Sequence, residues 1–418
     1  MKKIIVAHPG KQHSYRLASS LKKEGLLFKY ITTVYDKKTS YIMRVIKLIV
    51  GEDSLKRANT RRNLDLDDKE VVQFAQISGL FLLLLIRIDK KGKIVKHFNA
   101  VVAKKFGKKV AEYAIRNKVD AVIMYDTTAT TCFEILQKKA PNIKRILDVS
   151  IANRRFTRNF IDNNLSNVDL NEYKEELPVL WNEEILKNSD KEMTLSSYFL
   201  VASTFVKNSL MFAGIKENRI KVVPYGVDID KFSIVEDKSN LTQINFLFVG
   251  QLNSRKGIKY LLEAFSEFDE EDVQLTLVGR YDEKSKWFQE FSGKQNIKFL
   301  GSLQHDQLTR VYNKSDIFIL PSISEGMALV GLEALSTGLP LICSENSGVN
   351  DLIVDELNGF TIPAANTVEL KGKIRWFIDN AEKIPQMKKN ARNSVLKYTW
   401  NDYEVNSAVE IKSIVYSE

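Results

Sequence analysis

The chain has 418 residues, more than one hydrophobic core usually organises, so two domains of about 200 residues each are expected. Its 44% apolar and 27% charged content is that of a folded protein; two cysteines, Cys132 and Cys343, exclude a disulfide framework, a CxxC pair and a cysteine metal cluster, and fit a reducing cytoplasm. The net charge of +10 is unevenly spread, with +17 over residues 1–150 (31 Lys/Arg, 14 Asp/Glu) and −7 over residues 224–418 (21 Lys/Arg, 28 Asp/Glu). That split predicts a first half that meets an anionic surface, and the absence of a recognition motif argues against nucleic acid.

Taken in order, the N-terminus runs straight into a strand over 4–7, and its apolar run is too short for a signal peptide. The loop His8-Pro-Gly10-Lys11-Gln-His13 follows, with Lys11 or His13 in reach of an acceptor phosphate, or His13 serving only as a helix-start residue. After a strand over 28–32, residues 37–100 fit the strand–helix alternation poorly and are expected to be helical insertions at the domain edge. Within them Ile77 to Ile86 are ten uncharged residues, half of what a bilayer span of about 20 needs. Residues 90–118 then carry ten Lys/Arg and one Glu, a balance of +9. The pair reads either as an element lying on an anionic membrane surface or as a buried helix followed by an exposed, charged one.

Strands are expected over 121–125, 145–149 and 198–202, and in the second half over 245–249, 274–278, 297–300, 317–320 and 340–343. Strands alternating with helical patterns predict parallel sheets covered on both faces, that is, two Rossmann-like α/β domains facing across a cleft. The expected boundaries are 1–223, a linker over 224–243 with its polar part at 233–243, a second domain over 244–398, and a terminal helix over 399–418. Arg154 and Arg155, just past the strand over 145–149, are either an acceptor-phosphate clamp or part of a basic surface.

Two motifs of the second half carry the chemistry. Gly250-Gln-Leu-Asn-Ser-Arg255-Lys256-Gly257 follows the strand over 245–249. Pro321-Ser-Ile-Ser-Glu325-Gly326-Met327-Ala328 leads into an apolar helical run holding Glu333, eight residues after Glu325, and the run ends at Gly338. Strand, glycine loop and helix in that order direct N–H groups and a helix N-terminus at one point, a seat for a phosphate. A planar guanidinium beside a lysine can meet charge on a leaving diphosphate.

These strings resemble the Gly-x-x-x-x-Arg-Lys-Gly loop and the E-x7-E signature of retaining glycosyltransferases of family 4, which have the GT-B fold. The resemblance implies that Gly250, Arg255 and Lys256 hold the diphosphate, that Glu333 binds the ribose diol, and that Glu325 faces the donor sugar with the N–H groups of Gly326, Met327 and Ala328. It also implies that Gly279 lets the ligand approach, that Gly301 lines the base pocket, that the loop bearing Gly10 approaches the diphosphate and the acceptor, with Lys11 or His13 beside it, and that the last helix crosses back onto the first domain; Arg154 and Arg155 remain open between an acceptor clamp and a basic surface. The implied activity is transfer of a hexose from a UDP- or GDP-linked donor, without metal, to a saccharide or lipid-linked saccharide in bacterial surface polysaccharide synthesis on the inner face of the plasma membrane. The donor's own phosphate oxygen would take the acceptor proton. One departure stands out: Tyr125 occupies the place where many family members have a histidine, leaving Asp126, Thr127 or Thr128 to substitute. Rival readings are a nucleotide-sugar epimerase on the same fold and a degenerate transferase acting as a partner subunit.

Overall fold

The computed structural model describes residues 2–37, 61–89, 93–234, 243–269 and 271–417. Seven parallel strands build the first sheet: β1 (Ile4–Ala7), β2 (Leu27–Thr32), β3 (Val71–Gln73), β4 (Ala121–Tyr125), β5 (Lys144–Val149), β6 (Tyr198–Val201) and β7 (Ile220–Val222), in the order β3-β2-β1-β4-β5-β6-β7. Six more build the second: β8 (Ile244–Val249), β9 (Val273–Val278), β10 (Ile297–Gly301), β11 (Ile317–Leu320), β12 (Leu341–Ser344) and β13 (Gly359–Ile362), in the order β10-β9-β8-β11-β12-β13. Every residue of β1, β4, β11 and β12 is buried, as central strands under helices on both faces require. In each sheet the winding direction reverses beside the first strand, between β1 and β4 and between β8 and β11. Crevices at such points, outside the carboxyl ends of the strands, are where doubly wound folds bind ligands.

Three strands are absent from the sequence expectations, β3, β7 and β13, and all three lie at sheet edges. They are three or four residues long and include polar positions, so they lack the apolar run that marks a buried strand.

The expected polar linker 233–243 lies mostly outside the described residues, as do 38–60 and 90–92 of the region read as insertions. The described crossing from the first domain is tied to the returning chain: Val227 N donates to Tyr398 O at 2.8 Å. A Cβ on Gly226 would meet the Thr399 carbonyl carbon at 2.3 Å. The terminal helix Trp400–Tyr416 then packs on the helix Ser14–Lys23 of the first domain. There the buried Glu404 pairs with Arg16 at 3.3 Å and Lys23 at 2.6 Å.

Ile77 to Ile86 fall in the helix Gln76–Ile88, followed by the helix Lys93–Arg116, whose first N–H groups at Ile94 and Val95 are capped by the Asp89 carboxylate. The first helix is not buried: Ile77 is 79% and Ile88 67% exposed, with Phe81 and Leu84 about half exposed on the same stripe. The buried-helix alternative therefore fails. Lys104, Lys105, Lys108 and Lys109 are exposed on the second helix. No helix among the described residues is long and apolar enough to cross a membrane.

Candidate active site between the two domains

The loop after β8 is shaped by one cap and one glycine. Asn253 accepts from Lys256 N at 3.2 Å, which winds Ser254–Lys256 into a single tight turn. Gly257 leaves it at φ 71°, and a Cβ there would lie 2.1 Å from Pro321 O, so only glycine lets this turn press on the loop after β11. The two loops are joined where Ile323 N donates to Arg255 O at 2.8 Å.

That contact brings together Arg255, Lys256 and Glu325. Arg255 Nη1 and Lys256 Nζ each lie 2.6 Å from the same oxygen, Glu325 Oε1, and Nη1 also donates to Ser324 O at 3.0 Å. Lys256 and Glu325 are buried, and burial lowers the lysine's pKa against the opposing pull of Glu325. Two cations on one carboxylate leave a net positive charge in a desolvated crevice, a site that can accept an anion.

The first domain supports this loop from the side. Glu176 accepts from Ser254 N at 2.8 Å, the Tyr173 hydroxyl donates to Ser254 O, and Lys259 pairs with Asp169. Nothing in the sequence flags these helix residues, because their partners lie about 80 positions away.

Gly326 is required by the opposite domain: a Cβ there would lie 1.8 Å from Ser150 O. Its carbonyl accepts from Ser203 Oγ at 2.6 Å. One expected donor is already committed, since Ala328 N donates to Ser347 O at 3.2 Å. The loop after β12 folds over the start of the helix and takes that N–H, so the expected set of three donors reduces to the N–H groups of Gly326 and Met327.

Glu333 lies in the helix Leu329–Ser336, where it accepts from the Tyr312 hydroxyl at 3.1 Å. Burial pushes its carboxyl up to about 7, against that hydrogen bond and the nearby Lys231. It faces a cavity of about 220 Å3 lined also by Arg16, Asp228, Lys231, Leu329 and Trp400. If Glu333 accepts from a ribose diol it must be ionised. The affinity for free UDP should therefore fall as pH drops through about 7, and Glu333→Gln should bind more weakly with a flat profile. Calorimetric titration from pH 5.5 to 8.5 checks this, and parallel profiles for both proteins would assign the titration to another group.

A second cavity, of about 340 Å3, opens at the carboxyl ends of β8, β9 and β10, lined by Gly250, Gln251, Gly279, Arg280, Ser302 and Leu303. Gly301 leads into it at φ 66° with open space around it. Gly279, which lines this cavity, also serves the contact between two loops: a Cβ there would lie 1.6 Å from Gly250 O.

In the first domain the loop after β1 turns on itself, with Gly10 N donating to His8 Nδ1 at 2.9 Å. Burial holds the His8 pKa down to about 4. Lys11 is exposed at the loop's tip. His13 Nε2 lies 3.0 Å from both carboxylate oxygens of Asp148. Asp126 accepts from Ser150 Oγ at 2.7 Å, and burial raises its pKa. Arg154 lines a small cavity beside Asp126 and Glu192. Arg155 is otherwise engaged: it pairs with Asp190 at 2.8 Å and Glu183 at 3.5 Å, so its charge is met by the helix Glu183–Leu195 rather than held open for a phosphate.

Glu192 is a residue that sequence reasoning missed. It is buried and accepts from the N–H groups of Thr127 (2.8 Å), Ala129 (2.7 Å) and Thr130 (3.1 Å), which fixes the loop that carries Asp126. Burial pushes its carboxyl up to about 7. The available signal was weak, a lone glutamate next to the buried Met193.

Residues 230–394 match the family model described as glycosyl transferases group 1. Among relatives, the chain is 30% identical over 230 residues to UDP-Gal:alpha-D-GlcNAc-diphosphoundecaprenol alpha-1,3-galactosyltransferase of Escherichia coli, covering 50% of this chain and 54% of that one. It is 27% identical over 215 residues to sulfoquinovosyl transferase SQD2 of Arabidopsis thaliana, covering 48% and 41%. The chain spans about half the length of the curated relatives it matches. Whole-chain likeness comes from solved structures: sucrose-phosphate synthase of Thermosynechococcus elongatus (TM-score 0.66, 16% identity, 99% of each chain) and the lipopolysaccharide outer core galactosyltransferase WaaB (0.65, 18%, 99% of this chain and 100% of that one). Anabaena HepE in complex with UDP-glucose also matches (0.61, 14%, 99% and 100%). The architecture is therefore the GT-B fold, and the domain that holds Arg255, Lys256, Glu325 and Glu333 is the one matched by the group 1 glycosyl transferases.

Proposed function

We propose that this chain is a retaining glycosyltransferase of family 4. It moves a hexose from a UDP- or GDP-linked donor to a saccharide or lipid-linked saccharide in bacterial surface polysaccharide synthesis. The observation that carries this reading is the single Glu325 oxygen held 2.6 Å from both Arg255 and Lys256 in the crevice between β8 and β11. As the sugar–phosphate bond breaks, charge grows on the leaving diphosphate, and two fixed cations meet it without reorganisation. The acceptor oxygen bonds to the anomeric carbon on the face the diphosphate leaves, and the proton passes to the departing phosphate oxygen. The contact of Gly326 with Ser150 across the cleft excludes water that would otherwise hydrolyse the donor. The named UDP-glucose complex of HepE and the UDP-Gal relative favour a UDP-linked donor. A panel of UDP- and GDP-sugars tests this: a true donor at 100 times its Kd adds about 2.7 kcal/mol to stability. A panel that neither raises the melting temperature nor is hydrolysed would reject the reading.

The acceptor side docks on the anionic inner face of the plasma membrane. The exposed stripe Ile77, Phe81, Leu84 and Ile88 stands next to a helix that displays Lys104, Lys105, Lys108 and Lys109. Near an anionic leaflet each lysine contributes about 1 kcal/mol, fading within a Debye length of about 8 Å at physiological salt. Co-sedimentation with anionic vesicles should therefore weaken steeply with salt. Replacing the four lysines by glutamine should reduce it more than tenfold while UDP affinity stays the same. Equal binding to neutral and anionic vesicles would overturn the electrostatic part.

A further inference from the structure

His13 stands at the start of the helix Ser14–Lys23 but caps nothing there. Its ring is turned instead to the carboxyl end of β5, where Nε2 faces both oxygens of Asp148 at 3.0 Å, with the Tyr225 hydroxyl at 3.5 Å. Asp148 is only 4% exposed. A carboxylate can only accept, so Nε2 carries the proton, and in the neutral ring Nδ1 is left as a bare acceptor; the tautomer follows from the partner. Nδ1 makes no hydrogen bond among the described residues, and the side chain keeps 10% of its surface open.

Rings from three other segments hold the imidazole in place. Their centroids lie at 5.1 Å (Tyr125, end of β4), 4.6 Å (Tyr225, the crossing between domains) and 6.2 Å (Tyr403, the terminal helix). The same crossing touches the loop after β11, since Tyr225 N is 3.3 Å from Met327 Sδ. Ser150, two residues beyond Asp148, presses on Gly326. The imidazole is thus one layer of residues from Gly326 and Met327. The Tyr125 hydroxyl beside it is sealed and has no hydrogen-bond partner among the described residues, so it does not offer a substrate contact as the structure stands. His13 does.

We infer that His13 Nδ1 accepts a hydrogen bond from a hydroxyl of the acceptor sugar, next to the attacking one, and that Asp148 is the positioning residue that fixes the imidazole tautomer. The inference rests on the glycosyl transfer reading above and deepens it: the acceptor-side role open to His13 is given to one ring atom and a sugar hydroxyl instead of a phosphate, with Asp148 as its positioning partner. It involves no proton transfer to the ring. Misplacing an acceptor by about 1 Å costs on the order of 10²-fold in rate, which sets the scale.

Two isosteric replacements separate this role from a structural one. An asparagine amide reaches the place of Nδ1; a glutamine amide reaches the place of Nε2 and keeps the contact with Asp148. Using the full chain, with the donor found in the nucleotide-sugar panel and a panel of saccharide and alkyl-diphosphate-linked saccharide acceptors, His13→Gln should lose about 10²-fold in kcat/KM for the acceptor. His13→Asn should lose about tenfold, and both should bind UDP like the wild type. Nitrogen NMR of the His13 ring should show Nε2–H in the wild type and a tautomer mixture in Asp148→Asn, whose amide can face the ring either way. Glutamine outperforming asparagine, or a ring protonated at Nδ1, would overturn the inference and leave the transferase reading standing. A wild type that transfers from no donor to any acceptor overturns the transferase reading and this inference with it.

Discussion

Replacing Arg255 or Lys256 by alanine is expected to cut turnover by about 10²-fold, roughly 2.7 kcal/mol of lost transition-state stabilisation, the scale of one preorganised charge contact. The geometry makes the signs specific. Both cations share one oxygen of Glu325, so the carboxylate occupies part of the charge that an incoming diphosphate would use. Removing either cation weakens the hold on the diphosphate. Removing the carboxylate charge while keeping its shape does the reverse. Glu325→Gln should bind free UDP at least as tightly as the wild type, yet turn over more slowly, because Arg255 loses the partner that aims it. Steady-state kinetics and UDP calorimetry on the three variants check this. Near-native turnover in both cation variants would show that the diphosphate sits elsewhere, and weaker UDP binding by Glu325→Gln would show that the carboxylate supports the anion site instead of competing with it.

The parts of this site visible in the sequence are those where local chemistry and chain order coincide. Arg255 and Lys256 follow a strand and precede a glycine with φ 71°, and Glu325 follows a strand and precedes a helix, so their placement needs only the strand–loop–helix rule of doubly wound sheets. The central strands were legible because two covered faces demand unbroken apolar runs. The edge strands β3, β7 and β13 were not, because three or four residues beside solvent carry no such run. The supporting contacts were invisible for another reason. Glu192 reaches back about 65 positions to three N–H groups, and Asp148 meets His13 across 135 positions. Those pairings are set by tertiary packing, and no local period encodes them. Arg155 shows the converse: a basic dipeptide after a strand reads equally as a phosphate clamp or as basic surface, and only the tertiary structure brings Asp190 and Glu183 of the neighbouring helix to it.

Gly326→Ala should lower turnover by about 10²-fold while leaving UDP affinity within about threefold, the cost of misaligning two substrates rather than of losing one. The reason lies across the cleft. The added Cβ would sit 1.8 Å from Ser150 O and 3.4 Å from Ile151 Cα, both backbone atoms of the opposite domain, so no side-chain rotation relieves it. Each domain has its own sheet and helices, and the clash falls only where they meet, so relief comes by holding the cleft open. An open cleft still presents Arg255, Lys256 and Glu333 to the nucleotide, because all three belong to the second domain. It separates them from His13, Asp126 and Ser150, and it admits water. Scattering profiles with saturating UDP should show a larger radius of gyration for the variant than for the wild type, and donor hydrolysis should rise relative to transfer. Gly372→Ala is the control: that glycine lies inside the helix Thr367–Asp379 with nothing within 4 Å of an added Cβ, so alanine there should be neutral or stabilise by up to about 1 kcal/mol. If Gly326→Ala turns over like Gly372→Ala, the contact between Gly326 and Ser150 is not part of the state in which the sugar moves.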